Sequence, residues 1–287
     1  MGSSVSRVLF VVGALALLLT EAAHAQIQRP AASPRVQLTQ QVGMVTAKLD
    51  YGRPGVKGRK IFGELEPYGK VWRTGANAST KISFSGDVRI GKSALPAGDY
   101  ALYTIPGKRK WTVIFSKNTG LWGAGGYKAS DDALRIEVSA KKRKQLVESL
   151  RIDFEGFHAN GADLVIAWEH VRVAVPVVVD SDSVVLAEIE QKVKNPDANP
   201  NAQALFDAGM FYYEREMELP QAEKWIDRAV EMKPSAFWFV YYQAELAHAM
   251  GNKSKAKTCV SKALKAAKSS SADYGYIAKC QMLMKKL

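Results

Sequence analysis

The chain predicts a two-part α+β protein. An antiparallel β-sandwich of jelly-roll type is expected over residues 26–180, and helical hairpins over 181–287. Three observations carry this. Short stretches of alternating or β-branched residues fill the first part, the apolar period becomes helical near Ser181, and a set of small and large residues recurs 34 positions apart in the second part.

The strand candidates follow a polar lead, Gln26–Arg35. They are VQLTQQ, MVTAKLDY, TKISFSG, DVRIG, GDYALYTIP, WTVIFSK, ALRIEVSA, SLRIDFEGF, ADLVIAWEH and VRVAVPVVV. Turn signals such as LPAGDY, IPGKRKW and HANGAD separate them. Many short strands without helix-length segments between them favour two packed antiparallel sheets. Between two of these runs, KKRKQLVESL (Lys141–Leu150) reads as a solvated edge or one helical turn.

In the second part SVVLAEIEQKV is an amphipathic helix, and Pro196 and Pro200 break the chain after it. Ala222, Ile226 and Ala229 then recur as Ala256, Val260 and Ala263, with Pro234 closing the first unit and Gly251 at the turn of the second. Small residues at this spacing let helices approach closely, and the pattern resembles about two tetratricopeptide units plus a closing helix, Ala272–Lys286. The first unit departs from the pattern by one or two extra residues between its helices. Cys259 and Cys280 lie almost symmetrically about the Ser269–Asp273 turn, so a helix hairpin would bring them level, either bridged or as two small buried thiols.

Arg7 precedes an apolar run, Val8–Leu19, and Ala23–Ala25 supplies small residues for cleavage. This is the pattern of a secretory signal peptide removed after Ala25, which places the protein in the periplasm or outside the cell. The run is short for a bilayer span, so stable membrane insertion is not expected. The formal charge of +12 is uneven. Residues 26–180 carry 24 basic and 14 acidic side chains, 181–250 carry 6 and 12, and 251–287 hold nine Lys and one Asp. A basic exported protein meets acidic metabolites and polysaccharides, and no helix-turn-helix, zinc-finger or RNA-binding signature points to nucleic acid.

Catalytic patterns such as HExxH, GxSxG or a Walker loop are absent from the sequence, and neither a metal nor a cofactor is expected. The informative stretch is YGRPGVKGRKIFGELEPYGKVWRTGAN, residues 51–77, with six Lys or Arg and six Gly. Glycines free the backbone, and Arg forks match carboxylate, phosphate or sulfate. Arg53, Lys57, Arg59, Arg73 and Asn77, with Tyr51 or Trp72 as a wall, are therefore expected to form one concave site for an anionic small molecule or glycan. WGAGGY, residues 122–127, is expected to be a wide loop carrying Trp122 toward the same place. The same residues also fit a twisted hairpin with a cationic tip and Trp72 in the core.

LDYGRPGVKGRKIFGELEPYGKVWRTGANASTKISFS, followed by LPAGDYALYTIP and WTVIFSK, resembles the domain of unknown function 2911 family of exported bacterial proteins, over roughly Val36–Pro176. The resemblance implies the β-domain and strengthens the site without supplying a reaction. Relatives have Glu after the Gly-Ala-Asn element, where this chain has Ala78. Three readings follow. One is a binding module whose helical repeats contact a protein. Another is a hydrolase-like enzyme using Glu64, or else Glu66 or Asp50, with Arg73. The third is an envelope scaffold.

Overall fold

The computed structural model describes residues 29–287, so the signal-peptide reading of residues 1–25 lies outside the described residues. The described chain forms two compact units. One comprises 29–157 with 161–178, the other His158–Asn160 with Val179–Leu287. A nine-stranded antiparallel sheet fills the first and six helices the second, which is the expected two-domain α+β architecture.

The strands are β1 (Arg35–Val42), β2 (Val45–Gly52), β3 (Ala76–Phe84), β4 (Val88–Ile90), β5 (Ser93–Leu95), β6 (Gly98–Ile105), β7 (Lys110–Ser116), β8 (Asp132–His158) and β9 (Gly161–Val178). Their order is β1-β2-β3-β6-β7-β8-β9-β4-β5. ALRIEVSA and SLRIDFEGF belong to one 27-residue strand, β8, and Lys141–Leu150 is its extended middle, exposed apart from half-buried Arg143 and Val147 and buried Leu150. ADLVIAWEH and VRVAVPVVV fuse likewise into β9. A basic stretch interrupts the hydrophobic alternation of β8 but not its extended backbone.

β7 and β9 flank β8 in the sheet, yet Trp111 of β7 and Trp168 of β9 both pack edge-on against Phe62 from the loop between β2 and β3. Trp72 of the same loop stacks on Trp168 at 5.6 Å between centroids. The sheet thus curls over a shared aromatic centre and encloses a two-layered core. Alternation supplies the rest, with Val45, Ala47, Leu49 and Tyr51 of β2 all facing inward.

The helices are α1 (Ser181–Ile189), which runs on into a π-helical turn over Glu190–Lys194, α2 (Ala202–Glu214), α3 (Leu219–Met232), α4 (Phe237–Ala249), α5 (Lys253–Lys268) and α6 (Tyr276–Lys286). Side chains cap the starts of α1, α2 and α5. Asn201 Oδ1 accepts from Ala204 N at 2.9 Å and Asn252 Oδ1 from Lys255 N at 3.0 Å. α2 packs on α3 and α4 on α5, as two successive hairpins. Ala222, Ile226 and Ala229 of α3, and Ala256, Val260 and Ala263 of α5, are all 0% exposed. The departure in the first unit is a four-residue turn, 215–218, against three residues, 250–252, in the second. The longer turn places Glu216 and Glu218 at positive φ, where the shorter one uses Gly251.

Gly209 of α2 marks the closest helix approach. A Cβ there would lie 2.5 Å from Ile226 Cγ1 and 3.0 Å from the Ala222 carbonyl oxygen of α3. Alanine favours a helix over glycine by about 1 kcal/mol, but overpacking costs about 1–3 kcal/mol. We expect Gly209→Ala to destabilise the helical unit by about 1–2 kcal/mol net. Far-ultraviolet melting checks this, and an unchanged or raised midpoint would show that the hairpin can open without cost.

Cys259 of α5 and Cys280 of α6 share one buried cluster with Val240, Ala244, Val260 and Leu283. Both are free thiols, and Cys259 Sγ donates to Gln243 Oε1 at 3.2 Å. Burial pushes both thiols up. No helix among the described residues is long and apolar enough to cross a membrane.

Candidate functional site

Glycine closes the end of β2. A Cβ on Gly52 would collide with the Ala76 carbonyl of β3, and one on Gly75 would meet Thr80 Oγ1 at 2.8 Å. The two backbones therefore meet without side chains between them. Beside this contact Thr74 (φ 54) and Asn77 (φ 66) adopt left-handed backbone. For β-branched Thr74 that is a strained geometry. Its hydroxyl compensates within the core, 3.1 Å from Thr104 Oγ1, while its carbonyl accepts from Thr80 Oγ1 at 2.8 Å.

These constraints divide the residues expected to converge. Arg53 Nε donates to the Leu150 carbonyl at 2.7 Å. Arg59 folds back on its own loop, donating to the Val56 and Gly55 carbonyls at 3.0 and 2.7 Å. The Lys57 backbone N–H is held by Glu148 Oε1 at 2.9 Å. Arg53 and the Lys57 backbone therefore tie the loop to β8, and Arg59 braces the loop upon itself. Trp72 is 3% exposed and donates its Nε1–H to the Gly75 carbonyl at 3.2 Å, so it belongs to the core and is closed to a ligand.

Tyr51, Asn77 and Trp122 do come together. With Arg35, Asp50, Lys81 and Ser79 they line a cleft of about 320 Å³. The Tyr51 phenol reaches into the core, where its oxygen accepts from Ile152 N at 3.0 Å, so Tyr51, 2% exposed, borders the cleft from the inner side. Trp122 is 75% exposed at the rim. Its loop is firmly held. Leu121, Ala124 and Tyr127 pack against Ala101, Tyr103 and Ile114 of the sheet. The Leu121 carbonyl accepts from Ser79 Oγ at 3.1 Å, and the Gly123 carbonyl from Tyr103 OH at 3.2 Å. Arg35 Nε donates to Asp50 Oδ1 at 2.7 Å, and this hydrogen bond holds the Asp50 carboxyl below the usual range. Lys81 forms no salt bridge among the described residues; its charge also helps to lower the carboxyl of its cross-strand neighbour Asp50, and its side chain lines the cleft. Arg35 and Lys81 escaped the sequence reading because they lie outside the glycine-rich stretch. The pairing of Arg35 with Gly52 and of Lys81 with Asp50 brings them in.

Arg73 turns under the Trp122 loop. A Cβ on Gly123 (φ +80) would lie 3.1 Å from its Nη1, and its Nε is buried without a hydrogen-bond partner among the described residues. Glu66 feels this cation. Burial raises its carboxyl to about 7, against the opposing pull of Arg73. Glu66 is thus a carboxyl raised toward neutrality beside the Arg73 cation. Glu64 instead pairs with Lys60 at 2.9 Å on the surface, and Asp50 is committed to Arg35.

Comparison with known proteins agrees with the β-unit. Residues 33–177 match the family described as "Protein of unknown function (DUF2911)", and the chain belongs to that family. No curated protein matches the chain. Among solved structures, a crystal structure of PcrH in complex with the chaperone binding region of PopB is similar over 36% of this chain and 78% of that one. At 15% identity and a TM-score of 0.30 it supports no argument about this chain.

Proposed function

We propose that the β-unit is a binding module for a glycan or similar polar small molecule bearing an acidic group. The ligand lies in the Trp122 cleft, with one ring face on the indole, the acidic group toward Lys81 and the Asn77 amide fixing orientation. The observation that carries this reading is Trp122 itself. A large aromatic held out in solvent by a pinned loop, over polar groups, contributes little to the fold, whereas a flat face beside a few placed polar groups is how small-molecule sites orient their ligands. The helical unit, on this reading, offers a surface to a protein partner. The chain acts outside the cytoplasmic membrane after removal of residues 1–25, and a recovered mass starting at Met1 in the native host would overturn that part.

The cleft reading is tested by titrating glucuronate, galacturonate, sulfate and phosphate while recording tryptophan fluorescence and heat. Trp122 is the exposed tryptophan among those described, so its emission should respond. We expect Trp122→Ala to weaken binding at least about tenfold, on the order of 1.4 kcal/mol. Lys285→Ala, far from the β-unit in sequence, should leave affinity unchanged. Equal losses in both variants, or no binding of any of these anions, would reject the site.

A further inference from the structure

A second feature of the β-unit is a cationic crest that only the folded chain assembles. Lys108, Arg109 and Lys110 form the turn from β6 into β7. Lys141, Lys142, Arg143 and Lys144 occupy the middle of β8, some thirty residues on. Lys110 pairs with Ser139 across the two strands, and Ala140 N donates to the Arg109 carbonyl at 2.9 Å. The two basic runs, seven cations in all, therefore adjoin where the β6–β7 turn meets β8. Among the described residues only Lys110 has a salt bridge, to Glu137 at 3.3 Å, and both side chains are largely exposed. Leu146, 51% exposed, lies two residues beyond the run.

We infer that this crest docks the protein on an anionic phospholipid surface. The arrangement argues for a surface over a polymer. Successive strand residues point to opposite faces, so Lys141 and Arg143 project on one side while Lys142 and Lys144 project on the other. The turn residues add cations at the tip. A linear polyanion lying along one face would reach only part of the set, whereas a tip pressed into a planar layer of headgroups engages cations on all sides, with exposed Leu146 beside them. Lysines and arginines near such a surface each add attraction that dies away within about 8 Å at physiological salt. This is peripheral docking, without a spanning segment, and it is independent of the Trp122 cleft.

The crest turn depends on one glycine. A Cβ on Gly107 would collide with the Lys110 carbonyl, so the turn holds the two basic runs in fixed register.

The test is co-sedimentation of the full chain with vesicles of phosphatidylcholine alone or with one quarter phosphatidylglycerol. The quadruple variant Lys108→Gln, Arg109→Gln, Lys141→Gln, Lys142→Gln is compared with Lys265→Gln, Lys268→Gln, Lys285→Gln, Lys286→Gln. Both sets remove the same charge from exposed positions, so folding is expected to survive and circular dichroism verifies it. The N-terminal apolar run is common to all variants. We expect binding only to the anionic vesicles, a loss of at least about tenfold in the crest variant, and near-wild-type binding in the control set. Equal losses would reduce the effect to net charge. Indifference to phosphatidylglycerol, or crest-dependent binding to soluble polygalacturonate without vesicle binding, would overturn the proposal.

Discussion

Trp72→Ala should destabilise the β-unit by about 3–5 kcal/mol, the usual cost of removing a buried tryptophan. Three losses combine. The stack on Trp168 disappears, the edge contacts with Phe62 and Trp111 go with it, and the Gly75 carbonyl loses its indole donor. Gly75 lies against the end of β2, so slack at this point also loosens the floor of the cleft. Hydrogen exchange of the strand amides under urea follows the β-unit separately from the helices. The contrast is Trp122→Ala, which should leave that midpoint nearly unchanged, within about 0.5 kcal/mol, because its ring is exposed. If the two variants were equally unstable, the division of the tryptophans into core and rim would be wrong.

Glu66 should make the β-unit less stable as pH rises. Its folded carboxyl, at about 7, is above the ordinary 4.5. Below 4.5 both folded and unfolded chains hold the proton, and no difference arises. Between 4.5 and 7 the unfolded chain releases it while the folded chain retains it, so unfolding gains ground. Above 7 the carboxylate is ionised in its half-buried place and the full cost is present. That cost is on the order of 2–3 kcal/mol. Glu66→Gln should remove this decline and be more stable than the parent at pH 8, with little difference at pH 4. Urea midpoints measured at several pH values check it. A parent whose stability climbs through the same window as steeply as that of the variant would show that Glu66 is solvated or fully paired with Arg73.

The sequence carried the strands well where burial alternates, as in β2 and β3, and where buried apolar residues run together, as in β6 and β7. It failed at β8, where Lys141–Lys144 breaks the alternation although pairing persists, and at β5, three residues with no pattern to detect. The small-large-small recurrence located the helix contacts because close approach admits few residue types. The site was harder. Cation density and glycines pointed to the loop between β2 and β3, but Arg53 and Arg59 satisfy backbone carbonyls there, a use that local composition does not distinguish from ligand binding. Arg35 and Lys81 depend on strand register, which a single chain read locally does not specify.

The left-handed backbone at Asn77 sets two demands against each other. Asparagine tolerates that conformation better than most side chains, yet glycine tolerates it without strain. Asn77→Gly would relieve the backbone and at once delete the amide that faces the cleft. A population of variants sorted for thermal endurance would therefore enrich glycine at residue 77, while one sorted for ligand capture would keep asparagine. The preference at that one residue reports which of the two qualities has been under selection.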